Sequence, residues 1–309
     1  MDEVYVGVDV SKDRLDAHVL PEASAFAVAR DGKGLAELVG RLEPLGCKVI
    51  AVEATGGFET VVVATLAAAG LPVVVVNPAQ VRAYAMALGK RAKTDPIDAA
   101  VIARFVEATR PEPRPLPSEE SRLLADLVAR RRQIVEMIGA ERQRQKRATA
   151  QAAKSIARLL AALEKELASV NGDIDDHVRG SPAWKANEEL LTSVPGVGSV
   201  IARSLIADLP ELGSLDRRQI AAMAGLAPWT RQSGQWRGKS FIGGGRPAVR
   251  SALFVAAMVA GRFNPVLRAF RQNLIDRGKA KKVAIIAVAR KLLTILNAII
   301  RDQKPWRAA

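Results

Sequence analysis

The chain has 309 residues, 49% of them hydrophobic and 25% charged, and carries 46 Lys plus Arg against 32 Asp plus Glu, a formal net charge of +14. That size favours more than one domain, that composition suits a globular core, and that charge points to nucleic acid or an anionic membrane surface as partner. The single cysteine, Cys47, excludes an intrachain disulfide and fits a reducing cytoplasm, and the isolated His18 and His177 argue against a Cys/His zinc site. The amino terminus has no charged-then-apolar leader pattern. The apolar run 283–300 is interrupted by Arg290 and Lys291, so it reads as a core helix and no membrane partner is expected.

In chain order, Val4–Val10 is a β-branched run of strand length with valines at 4, 6, 8 and 10 on one face and Tyr5, Gly7 and Asp9 on the other. Leu15–Leu20 and Ala25–Ala29 continue it as an antiparallel meander. A helix is predicted over 34–42, a strand over 48–54 ending on Glu53, a helix over 59–69 and a strand over 73–76. Asn77-Pro78 then starts a further helix. A basic loop, Gly89–Lys93, precedes Asp95-Pro96-Ile97-Asp98, which opens a helix to about residue 108. Meander first, then alternating helix and strand, is an α/β order.

Pro111, Pro113, Pro115 and Pro117 mark a stiff extended linker. Beyond it the chain turns helical. Leu123, Leu124, Leu127, Val128, Ile134, Val135 and Ile138 keep helical spacing, and Arg130, Arg131 and Arg132 belong to the basic face opposite. A second amphipathic segment carries Ile156, Leu159, Leu160, Leu163 and Leu167. Fifty helical residues would reach about 75 Å, so a coiled-coil arm or an antiparallel pair is expected. A polar break is placed at 171–185. Val194-Pro195-Gly196-Val197-Gly198 between two helices has the pattern of a helix-hairpin-helix. A short helix over 220–227, a loop or hairpin over 229–246 and three closing helices complete the chain.

Asp95 and Asp98 lie three apart at a helix start, on one face. Two readings compete. One makes Asp95 an N-cap, Pro96 the first helical residue and Asp98 a first-turn acid. The other makes both of them metal ligands. Asp9 and Glu53, at strand positions, complete a set of four carboxylates suited to magnesium, which takes hard oxygen donors and keeps open positions for substrate phosphate. Two such ions about 3.5–4 Å apart can hold the attacking and leaving oxygens of a phosphodiester. An acid on strand 1 of a meander, another after a later strand and more on a later helix form the ribonuclease-H arrangement.

These residues also carry a resemblance. Val6-Gly7-Val8-Asp9-Val10-Ser11-Lys12, Val52-Glu53-Ala54-Thr55-Gly56, Asn77-Pro78 and Lys93-Thr94-Asp95-Pro96-Ile97-Asp98-Ala99 resemble the amino half of the Piv/MooV-related DEDD transposases of the insertion-sequence "one-ten" family. Val194–Gly198, Gly225-Leu226-Ala227-Pro228, Ser233-Gly234 and 246–253 resemble their carboxyl half.

The resemblance implies a RuvC-like domain at 1–115, a helical coiled-coil connector at 116–188 and a mainly helical transposase domain at 189–309. It implies Asp9, Glu53, Asp95 and Asp98 as ligands of Mg2+ or Mn2+, and Ser233 as a nucleophile that forms a phosphoserine link to DNA, with Ser240 as its competitor. From the residues alone, Ser233 reads as a turn serine. The resemblance further implies donor and target DNA and a noncoding bridge RNA as partners, a homo-oligomer (dimer or tetramer), and a cytoplasmic bacterial setting at the nucleoid. Arg130, Arg131, Arg132, Arg231, Arg237, Lys239, Arg246 and Arg250 are the candidate nucleic-acid contacts, and Gly243-Gly244-Gly245 is either room for the backbone to approach DNA or a flexible turn. The main alternative is a RuvC-like Holliday-junction nuclease that uses the four acids without the serine. An actin-like ATPase also begins on Gly-x-Asp but leaves the basic carboxyl half without a role.

Overall fold

The computed structural model of the chain describes residues 3–90, 95–113, 118–230 and 232–307, and at 95–97 and 237 it describes the backbone alone. Arg91 to Thr94, Pro115, Pro117 and Arg231 therefore lie outside the described residues. The chain divides into two compact units, Met1–Leu116 and Pro117–Ala309.

The first unit is a five-stranded mixed sheet with helices on both faces. β1 (Tyr5–Val10), β2 (Arg14–Leu20) and β3 (Ser24–Ala29) form the antiparallel meander. α1 (Gly32–Leu42) leads to β4 (Val49–Glu53), parallel to β1, and α2 (Glu59–Ala68) leads to β5 (Val73–Val76), parallel to β4. The sheet order is β3-β2-β1-β4-β5. α3 (Pro78–Ala87) starts at Asn77, whose side chain accepts the Ala79 N–H, and α4 (Asp95–Thr109) closes the unit.

Strand alternation sorts the core. Val6, Val8 and Val10 meet Leu38 and Leu42 of α1 and Val62 and Leu66 of α2. On the other face, Tyr5, Ala51, Val74 and Val76 meet Val81 and Ala85 of α3 and Ile102, Ala103 and Val106 of α4. Each fully buried large apolar side chain contributes about 1.5–3 kcal/mol. Where β1 crosses α4 there is no side chain at all. A Cβ on Gly7 would stand 2.3 Å from both the Ala103 nitrogen and the Ala99 oxygen. Strand and helix backbones are thus in direct contact there.

The second unit begins with two long helices, α5 (Glu119–Gln145) and α6 (Ala150–Gly180). Cross-links at His177–Glu120, Arg131–Asn171 and Arg142–Glu164 show that they run antiparallel. The polar break expected at 171–185 is not there. α6 runs on to Gly180, because Val170, Ile174 and Val178 continue its buried stripe at four-residue spacing. Ser181 then caps α7 (Pro182–Thr192), whose first residue is proline.

α8 (Ser199–Asp208) follows the Val194–Gly198 turn, and α9 (Arg217–Met223) opens on a capping box formed by Asp216 and Gln219. α9 stops at Met223, four residues earlier than predicted, since Gly225 takes a left-handed φ of 67°. α10 (Pro247–Phe263), α11 (Pro265–Asp276) and α12 (Lys281–Asp302) close the chain. α12 is long and apolar enough to span a membrane, but its Leu292, Leu293 and Leu296 are fully buried, in a helix that packs against α7, α9, α10 and α11.

Gly7→Ala is expected to lower the stability of the first unit by about 1–3 kcal/mol, read from hydrogen exchange of the α4 amides. A change below about 0.5 kcal/mol would mean that α4 simply moves aside.

Candidate active site

The acids of the first unit are placed by the strands and by the direction of α4. Arg110, just beyond α4, lies 3.6 Å from Glu3 before β1, and Ala99 and Ala103 lie on Gly7. α4 therefore runs antiparallel to β1, and its amino end lies at the carboxyl end of that strand. Val8 is in register with Val52, so one further step sets Asp9 beside Glu53. Asp9 is two residues beyond Gly7, and Glu53 two beyond Ala51, so both side chains lie on the α4 face. Asp98 stands in the first turn of α4. All three are half-buried. The side chain of Asp95 lies outside the described residues.

Two further acids join this end of the sheet. Asp16 is the cross-strand partner of Asp9 and is 5% exposed. Arg14 holds it through Nε and Nη2 at 2.7–3.2 Å, so this carboxylate is neutralised by a cation two residues away. Glu59 organises the loop after β4. Its carboxylate accepts the N–H groups of Thr55 (3.0 Å) and Gly57 (2.8 Å) and the Thr55 hydroxyl (3.3 Å). Burial pushes its pKa up, but the backbone N–H groups of Glu59, Gly57 and Thr55 outweigh that and hold it below the ordinary glutamate value. Sequence reading missed both acids. The only signal for Asp16 was a carboxylate inside a strand.

Asp9, Glu53 and Asp98 offer hard oxygen donors, which suit a divalent cation such as Mg2+ or Mn2+. Among the described residues, however, no group of three His, Cys, Asp or Glu side chains is gathered closely enough to hold one. The full set of four depends on the carboxylate of Asp95.

In the second unit, the segment expected to be a loop or hairpin is a hairpin made of two short ladders. β6 (Pro228–Trp229) pairs with β9 (Phe241–Ile242), and β7 (Gln232–Ser233) pairs with β8 (Trp236–Arg237). Ser233 is directly opposite Trp236 across a two-residue turn. Gly234 takes φ 55° at the first central position, the turn that suits a twisted hairpin. Ser233 is exposed near the tip. Ser240 lies lower, where its hydroxyl shares a 3.2 Å hydrogen bond with Thr230.

The base of the hairpin is fastened to α9 and α10. Arg246 N–H donates to the Met223 carbonyl at 2.8 Å. The Arg246 guanidinium grips Glu211 in bidentate fashion at 2.5 and 2.7 Å and donates to the Asp208 carbonyl at 3.1 Å. Arg250 donates to the Gly244 carbonyl at 2.6 Å. A Cβ on Gly245 would fall 2.3 Å from the Gly225 nitrogen. At Gly245 two backbones pack directly together, whereas a Cβ on Gly243 would meet nothing within 4 Å and one on Gly244 only the Trp229 ring at 3.6 Å.

A transposase family model of the DEDD type, named for insertion sequence IS110, matches residues 6–154. A second, described as Transposase IS116/IS110/IS902 family, matches residues 188–272. The chain belongs to this transposase family. It is a DNA transposase or recombinase, and the DEDD domain implies the RNase H-like fold that the mixed sheet displays. The family also implies dependence on a divalent metal ion. Over 321 positions the chain is 29% identical to the pilin gene-inverting protein of Moraxella lacunata, covering 99% of this chain and 98% of that one, and the match to the Moraxella bovis protein is the same. It is 29% identical over 165 residues to the IS900 uncharacterized 42 kDa protein of Mycobacterium paratuberculosis, half of this chain and 40% of that protein.

Against this transposase background, the candidate nucleic-acid cations divide. Arg131 donates to Asn171 across the helix pair at 2.8 Å, and Arg132 pairs with Asp208 of α8 at 3.1 Å. Burial, then repulsion from Arg203, pushes the pKa of Arg131 down. With Arg246 and Arg250, these side chains hold protein to protein. Arg130, which donates to nearby Gln133 at 3.3 Å, and Lys239 are exposed. The side chain of Arg237 and all of Arg231 lie outside the described residues. The Val194–Gly198 turn also serves packing, since a Cβ on Gly196 would meet the Ala260 backbone at 2.5 Å.

Arg246→Ala is expected to cost about 1.5–3 kcal/mol of stability in urea unfolding, while the salt dependence of DNA binding stays unchanged. A salt slope reduced by about one, with stability retained, would instead make Arg246 a phosphate contact.

Proposed function

We propose that this transposase cuts and rejoins DNA for an insertion sequence through a phosphoserine intermediate at Ser233. The observation that carries the reading is the placement of this serine, exposed near the tip of a hairpin anchored at its base, within the stretch matched by the second family model. The bidentate Arg246–Glu211 pair and the Gly225–Gly245 contact fix the base, so the hydroxyl is presented on a defined element. The Ser233 oxygen attacks phosphorus, and one P–O ester bond to a sugar breaks. The serine gives up its proton, and the departing sugar oxygen takes one up. A sugar hydroxyl of the partner strand then attacks the phosphoserine and releases the enzyme, so bond energy is kept without a further energy source.

Asp9, Glu53, Asp95 and Asp98 would hold Mg2+ or Mn2+, which supplies charge stabilisation on the phosphate when bound. The first unit is read as RuvC-like, α5 and α6 as the coiled-coil connector, and the α7–α8 turn as helix-hairpin-helix-like. We assign donor and target DNA and a bridge RNA as partners of a cytoplasmic homo-oligomer, a dimer or tetramer. Pairing with a guide would choose the sequence and leave backbone and shape to the protein. The +14 charge supports binding of both nucleic acids.

Ser233→Ala should abolish the covalent protein–DNA adduct while DNA affinity is retained. An adduct that persists in denaturing gels would refute the serine assignment and point to another nucleophilic side chain, whereas cleavage by the wild type with no adduct at all would favour a nuclease that uses the carboxylates alone. Asp9→Asn should weaken Mn2+ binding at least about tenfold in titration, with the unfolding midpoint little changed. Undiminished Mn2+ binding would remove Asp9 from the ligand set.

A further inference from the structure

The hairpin carries three large aromatic side chains that the protein does not bury. Trp236 is 60% exposed, Trp229 54% and Phe241 46%. The chain has only four tryptophans, and two of them stand here. Trp229 and Phe241 are cross-strand partners with ring centroids 6.2 Å apart and planes 30° from parallel. Trp236 is the cross-strand partner of Ser233. Directly opposed residues on an antiparallel pair project to the same side with Cβ atoms about 4.5–5.5 Å apart. The indole of Trp236 is therefore a neighbour of the serine hydroxyl.

The sequence around the hairpin carries charge of one sign. From Arg217 to Ile275 the sequence contains no Asp or Glu, while Arg217, Arg218, Arg231, Arg237, Lys239, Arg246, Arg250, Arg262, Arg268 and Arg271 all fall within it. Arg246 is already paired with Glu211, but the rest of the stretch keeps its positive surplus in the sequence. A polyanion would meet its complement. The established DNA chemistry of the family supplies that polyanion. Exposed rings set among cations are the recipe for single-stranded nucleic acid, in which bases stack on aromatic faces while the backbone follows the charge. A paired duplex cannot use these rings, because its base faces are already stacked on one another.

We propose that the hairpin 228–242 is a stacking platform for unpaired nucleobases of the DNA strand being cut and rejoined. Trp236 receives a base next to the phosphate presented to Ser233, and the Trp229–Phe241 pair receives bases further along. Stacking holds the strand open at the point of exchange and sets its position along the hairpin. Where the strand lies depends on the serine reading above. The stacking itself depends only on the chain acting on DNA.

The test uses the full chain and three labelled probes: a duplex with a central unpaired bubble, the same duplex fully paired, and a single-stranded RNA of the bubble sequence. Trp236→Ala and Trp229→Ala should each weaken binding of the bubble by about 5- to 150-fold, the range for loss of one stacked base. Affinity for the paired duplex should stay within about twofold. Trp236→Phe should recover most of the loss, and 2-aminopurine placed next to the phosphate to be cut should be quenched less by Trp236→Ala than by the wild type. Equal losses on bubble and duplex, no loss on the bubble, or a loss confined to the RNA would each overturn the proposal. An adduct mapped to a residue other than 233 would sink the serine assignment and leave the bubble result standing, so the two readings fail separately.

Discussion

A Cβ at Gly7 would lie 2.3 Å from two backbone atoms of α4, and the first unit is arranged around that direct contact. Because no side chain separates β1 from α4, the helix lies at backbone distance on the strand. Its direction, set by Arg110 near Glu3 at one end, brings its first turn to the carboxyl ends of β1 and β4. Asp9, Glu53 and Asp98 share that end for this reason. A bulkier residue at position 7 would lift the helix and spread the acids. The acid set is thus a consequence of packing as much as of its own residues.

In the second unit the corresponding constraint is a guanidinium. Arg246 satisfies Glu211 and the Asp208 carbonyl together, and it stands where the hairpin returns to α10. Beside it, Gly225 and Gly245 let two backbones touch. A hairpin with only two short ladders has little stability of its own, so its orientation comes from this base. The outer part carries the serine and the exposed rings. Anchoring at one end and exposure at the other is what a strand-handling element needs.

The long helices show how charge reads in isolation and in context. Arg130, Arg131 and Arg132 are consecutive, so on a helix they point about 100° apart and cannot share one role. Arg131 and Arg132 reach Asn171 and Asp208, whereas Arg130 faces solvent. A run of like residues is not a single surface once the helix is formed.

Much of the first unit was legible from residue pattern: the valine alternation of β1, the meander, Asn77-Pro78 as a helix start and the Asp95–Asp98 helix all depend on local sterics and capping. Asp95, Asp98, Ser233 and the basic stretch around the serine were singled out through likeness to a family, and their roles are those proposed above. What the residues in order did not carry was long-range: that Asp16 would sit buried beside Asp9 with Arg14 on it, that α6 would continue to Gly180, that Gly245 would pack on Gly225, and that Arg246 would be spent on Glu211. Sequence spacing encodes which face a residue takes on its own element, because the helix and strand periods are properties of the local backbone. Which partner that face meets is decided only when elements far apart in the chain close-pack, and the packing roles of Gly7, Gly245 and Arg246 were settled at that step.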